Sequence, residues 1–208
     1  MWHYVKQAGI PFLYLLFMTM TSIGILGIEG LVWLKVLLNI LSFGLYAVIV
    51  VGTSYKEGQL ALKARIANDL ERVQIIRTGE DRPLKLKEEY KHWKGFLTGF
   101  ITCVPLIVLL IIHTILILAL GEEYKGAGII ASIIYMVFFA FFRMNVSTQT
   151  DANGNAVAAE VPATIYYWTL IAIPVIMLLT GIPYILGARK IQQQQDRIKE
   201  KQRQIYGE

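Results

Sequence analysis

Acidic side chains are absent from every long apolar run of this 208-residue chain, cysteine occurs once, and histidine only three times. Each shortage removes a class of chemistry. A lone Cys103 forms no intramolecular disulfide and no multi-cysteine metal site. His3 and His92 fall outside the apolar runs, and His113 stands ten residues from Cys103, about 15 Å along a helix at standard rise, so nucleophile and base do not meet. Glu122 and Glu123 are adjacent, and neighbours on a helix point in different directions, which makes them a poor acid/base pair. The "DANGN" stretch at 151–155 places its glycine too early for a calcium loop and lacks the bidentate glutamate. No internal repeat is present to suggest an inverted-repeat transporter. The expectation is therefore a protein that is not an enzyme, with no cofactor and no metal site.

Charge is also scarce. Only 17% of residues are charged, against about 25% in ordinary soluble domains, while 55% are hydrophobic and mean hydropathy is +0.52. The fold class this implies is an all-α, polytopic integral membrane protein of the cell membrane, with the lipid bilayer as its first partner. Charge-free stretches at 7–28, 36–54, 95–121 and 163–188 approach or exceed the roughly 20 residues a helix needs to cross the bilayer core. A fifth hydrophobic segment, 127–142, is shorter. The N-terminal run has only Lys6 before it and no small-residue cleavage pattern before Glu29, so it reads as a retained signal anchor.

The net charge of +5 does not point to nucleic acid, because the basic residues flank the spans as they do in membrane proteins. Ten Lys and Arg crowd the loop 55–94 and six the tail 189–208. The positive-inside rule puts both in the cytoplasm, which requires an even number of crossings between them. Four crossings, with 127–142 re-entrant or interfacial, leave only Lys35, Lys125 and Arg143 outside. Five crossings would strand the tail's cations on the far side. Against four stands the all-round apolar character of "GIIASIIYMVFFAFF".

The chain thus divides into an N-terminal transmembrane hairpin (1–54), a cytoplasmic amphipathic helical loop (55–94), a C-terminal membrane region (95–188) and a basic helical tail (189–208). Within the loop, Leu62, Ile66, Leu70, Val73 and Ile76 fall within about 120° of one another at 100° per residue. Gly79 is the expected helix stop. Leu86, Tyr90, Trp93 and Leu97 continue on one stripe, which predicts that the next helix begins before the membrane. In the tail, Ile191, Ile198 and Ile205 recur every seven residues in phase with Met177 and Tyr184, so one helix should run out of the last span. Its heptads have a single apolar position, too few for a self-sufficient coiled coil. Loop and tail together are candidate docking surfaces for a protein partner or a second copy. Between 143 and 162, small and β-branched residues around Asn153-Gly154 predict a small non-cytoplasmic β-hairpin. Asn145-Val146-Ser147 matches a glycosylation acceptor.

Inside the spans, polar residues align. Lys35, Asn39, Ser42, Tyr46 and Thr53 occupy an arc of about 60°, as do Thr98, Thr102 and His113, and also Tyr166, Thr169, Thr180 and Tyr184. Lipid cannot satisfy hydrogen-bonding groups, so these arcs should face other helices or a wet cavity. Asn39 and His113 lie at similar depth by residue count and could share one cluster with Lys35. Packing and snorkelling account for such residues without further function; a solute path would also use them. Two readings result: a non-catalytic anchor, assembly or regulatory subunit of a membrane complex, or a small transporter or channel subunit.

Overall fold

The computed structural model describes residues 2–26, 32–79, 90–120 and 164–206. Every regular element among them is helical: α1 (Trp2–Leu26), α2 (Val32–Thr78), α3 (Lys94–Leu120) and α4 (Thr164–Tyr206). Three helices, α2, α3 and α4, are long and apolar enough to cross a membrane. The segment 127–142 and the expected β-hairpin at 143–162 lie outside the described residues.

Sequence explains where the helices start and stop. α2 ends in a glycine C-cap: Gly79 sits at φ 66°, and its N–H donates to the Ile75 carbonyl at 2.9 Å. Only glycine enters that left-handed region without a Cβ penalty. α3 begins at Lys94, whose N–H reaches back to the Lys91 carbonyl at 3.1 Å, and the Leu97 N–H bonds the Trp93 carbonyl. Helix continues through Pro11 in α1 and Pro105 in α3.

Two sequence expectations change here. The boundary between span and amphipathic loop at 54/55 is not a break in structure, because α2 is one helix of 47 residues, about 70 Å long at 1.5 Å per residue. Lys and Glu are good helix formers, so the first charges after the apolar run end the lipid-compatible stretch without ending the helix. Conversely, the stripe through Tyr90 and Trp93 is not helical: residues 90–93 precede α3 as a turn. The tail is continuous with the last span as expected, giving α4 its 43 residues.

The chain forms two compact units, Met1–Val48 with Gly99–Ile176, and Ile49–Thr98 with Met177–Glu208. In the first, the α2 residues Asn39 and Tyr46 turn inward, while Leu37, Ile40, Leu41, Leu45 and Val48 are exposed. From α3 the unit buries Thr102, Cys103, Leu106, Leu110 and His113, and from α4 Ala172 and Ile176. A helix that is polar inside and apolar outside is the arrangement hydrocarbon favours. In the second unit the buried set is Val50, Ser54 and Asn68 on α2, Tyr90, Lys94 and Thr98 around the start of α3, and Thr180, Tyr184, Ala188 and Ile191 on α4.

Candidate docking groove

The second unit is built on glycines. A Cβ placed on Gly58 of α2 would overlap the Tyr184 carbonyl oxygen of α4, and one on Gly187 of α4 would overlap the Tyr55 carbonyl oxygen of α2. The two helices therefore meet backbone to backbone, the close approach that small residues allow. The start of α3 wedges into the same place. A Cβ on Gly95 would lie 2.7 Å from that of Tyr184 and 3.0 Å from the Gly181 Cα, and one on Gly181 would run into the Phe96 ring.

Tyr184 is the hub of this knot. The Tyr90 ring stacks on it at 5.3 Å between centroids with 15° between planes, and Ala188, Ala61 and Leu62 complete the cluster. The Tyr90 hydroxyl is 2.9 Å from His92 Nδ1, and the His92 ring meets the Tyr90 ring edge-on at 5.0 Å. Burial raises the Tyr90 phenol above its usual pKa, an effect the nearby Arg189 opposes. Glu57, beside the crossing and past the charge-free run of α2, loses water to its neighbours, and its carboxyl is pushed up to about 7. Lys190 places Nζ 5.9 Å from the centroid of the Tyr55 ring.

Beyond the knot a cavity of about 940 Å³ opens between the outer part of α2 and that of α4. Leu62, Ile66, Leu70 and Val73 line it from α2, Ile185 and Ala188 from α4, with Tyr90 and His92 beside them. Arg65 and Asp69 face Arg189, Gln192, Gln195, Asp196 and Lys199 around the rim. Leu70 and Val73 are 62% and 49% exposed, too much for side chains serving an internal core.

Four of the five apolar positions expected on the loop stripe thus share this groove. Ile76 does not line it and is 81% exposed. In the tail the seven-residue series is used once: Ile191 is buried, whereas Ile198 and Ile205 are exposed. The crossing glycines 58, 181 and 187 did not stand out in the sequence. Their one available signal is that glycine inside a helix costs about 1 kcal/mol relative to alanine and so tends to have a packing reason.

The polar seam in the first unit is closed by different contacts. Ser42 Oγ lies 3.0 Å from Thr21 Oγ1 on α1, and the Asn39 amide donates to the Lys35 carbonyl at 3.0 Å. Lys35 is half-buried. Tyr46, Thr102 and His113 are each at most 2% exposed, and His113 Nδ1 has no hydrogen-bond partner among the described residues. None of the hydrogen bonds just named joins Asn39 to His113. Thr53 and Thr98, in the second unit, bond back to carbonyls of their own helices.

Among the described residues no group of three or more His, Cys, Asp or Glu side chains is placed to hold a metal ion. An apolar floor with a charged rim is a composition common at binding surfaces. Helices of this apolar length are compatible with a membrane protein. No known protein family matches the chain, and no curated protein or solved structure is significantly similar to it.

Proposed function

We propose that this protein is a non-catalytic component of a membrane complex, an anchor, assembly or regulatory subunit that holds a protein partner on its cytoplasmic face. The observation that carries the reading is the open apolar groove between the outer parts of α2 and α4, whose lining includes the exposed Leu70 and Val73. Apolar surface of this kind, rimmed by charge, is the usual mark of a binding site. In this reading the chain crosses the cell membrane four times, with 55–94 and the tail 189–208 in the cytoplasm. The charge distribution supports it, because this arrangement keeps all but three of the 20 Lys and Arg on the inner side.

Isolation from native membranes in mild detergent tests the proposal. A partner is expected to co-purify at fixed stoichiometry with the wild-type chain and to be lost from Leu70→Asp and Val73→Asp variants that still fold. A wild-type chain that purifies as a monomer without a partner overturns it.

A second reading, small-solute permeation, draws on the buried Asn39, Tyr46, Thr102 and His113. Apolar replacement of Lys35, Asn39 and His113 separates the two. If the wild-type chain supports a measurable solute flux in proteoliposomes and the triple variant supports the same flux, permeation through the seam fails.

A further inference from the structure

The groove has dimensions and charge that restrict its occupant. From Leu62 to Val73 the α2 wall runs twelve residues, whose eleven steps of 1.5 Å make about 17 Å or three helical turns. A helix with side chains is about 10–12 Å across, so half of a cylinder of that length fills roughly 700–1,000 Å³. The cavity measures about 940 Å³. The groove's length along α2 thus corresponds to about three turns of a docked helix. The apolar lining at 62, 66, 70 and 73 repeats at three- and four-residue intervals, the spacing on which the apolar face of a docked helix is read.

Charge selects among helices. Residues 56–78 of α2 carry five basic against three acidic side chains, and 189–206 of α4 carry six against two, an excess of six positive charges over all faces of the two segments, of which a net one lines the groove. At the rim itself, Arg65, Arg189 and Lys199 face Asp69 and Asp196. Asp69 already pairs with Arg72 on its own helix at 3.8 Å, which weakens its claim on an incoming cation. A ligand with an acidic polar face is therefore attracted during approach and at the rim, and a basic one repelled.

We infer that the groove between α2 and α4 takes a single amphipathic helix of about three turns, apolar on one face and acidic on its flanks, supplied by a soluble protein partner. This rests on the docking reading above and adds what docks.

The test uses the full chain in nanodiscs of zwitterionic lipid and helix-stabilised synthetic peptides of three turns with leucine at positions i, i+3, i+4 and i+7. One peptide carries Glu on its flanks, a second Lys, and a third has the acidic sequence scrambled. The acidic peptide is expected to bind saturably, at least tenfold more tightly than the basic or scrambled one, with affinity falling as salt rises. Ile66→Asp should reduce its binding at least tenfold. The variant Arg65→Glu/Arg189→Glu/Lys199→Glu, which leaves the apolar floor intact, should reverse the preference between acidic and basic peptides. Equal binding of all three peptides, or a preference unmoved by the charge reversal, overturns the inference.

A photo-crosslinker at Val73 in native membranes keeps the two proposals distinguishable. Crosslinking to an acidic amphipathic segment of another protein supports the inference. Crosslinking to a non-helical or basic segment leaves docking standing and removes this occupant, as does crosslinking to a second copy of the chain. Crosslinks to lipid alone overturn both proposals.

Discussion

At the scale of single residues, the crossing glycines are the most exacting positions. A methyl group at Gly58 or Gly187 meets a carbonyl oxygen of the facing backbone, which cannot rotate away as a side chain would. Gly58→Ala and Gly187→Ala are each expected to destabilise the protein by about 1–3 kcal/mol or more, the range for overpacking a close contact. Thermal unfolding in detergent reads this as a lower midpoint. Gly44 and Gly52, inside α2 with nothing within 4 Å of an added Cβ, serve as controls and should keep or raise the midpoint when changed to alanine, by up to about 1 kcal/mol of helix propensity. Glu57 makes a separate prediction. Burial pushes its carboxyl from the ordinary 4.5 up to about 7, so the folded chain binds the proton more tightly than the unfolded chain does. This contribution favours folding at acid pH and is lost as pH rises from about 4.5 through about 7. Glu57→Gln should therefore unfold at a higher temperature than wild type at pH 8, with the difference shrinking toward pH 5. A Glu57→Gln variant that unfolds below wild type at pH 8 would show that the carboxylate is stabilised by a partner instead.

At the scale of elements, the end of α2 depends on Gly79. Its φ of 66° would cost an L-residue about 1–2 kcal/mol, and the effect should stay local because the residue is exposed at the helix end. Gly79→Ala is expected to speed amide hydrogen exchange over residues 75–79 by roughly 5–30-fold, the same free energy expressed as an opening constant, while the unfolding midpoint barely moves. This stop was legible in the sequence, as were the apolar stretches of α2, α3 and α4, because glycine after a periodic run and the absence of charge are local signals. The polar arcs were legible in part for the same reason: Asn39 and Tyr46, Thr102 and His113, and Thr180 and Tyr184 face inward, whereas Lys35, Ser42 and Thr53 are half-buried and the side chains of Tyr166 and Thr169 lie outside the described ones. What was not legible depends on partners distant in sequence. The 54/55 boundary marks where charge resumes, and a helix can continue through that point. Tyr90 fits a helical stripe by period, yet it stacks on Tyr184 from a turn. Leu62, Ile66, Leu70 and Val73 were identifiable as one stripe, but only the fold shows that α4 faces them and that Ile76 lies outside the groove. Gly58 and Gly187 could be noticed as glycines; which backbone each one touches could not be read.

At the scale of the whole molecule, the prediction concerns sidedness. The four-crossing reading requires the loop 55–94 and the end of α4 to share a compartment. A reporter active only in the cytoplasm is expected to work when fused after Glu208 and when inserted after Gly79, and protease added to intact cells should leave 55–94 uncut. Activity of the insertion without activity of the C-terminal fusion would instead favour five crossings, with 127–142 as a true span. Such a result would place the groove's α4 wall on the wrong side for a cytoplasmic partner, so this measurement also bears on the docking proposal.

The glycine crossing also limits how the groove can move. Main chain meets main chain at Gly58 and Gly187, so sliding the two rods would force each carbonyl against the side chains that flank its glycine, whereas a small pivot about the contact would leave both carbonyls seated. The twelve helical steps from Gly187 to Lys199 span about 18 Å. A pivot of only about 5° therefore widens the far end by roughly 1.6 Å, while the end near Tyr184 hardly opens. Entry of a ligand helix would then begin at the tips and proceed inward, so its outermost turn would be gripped last and released first.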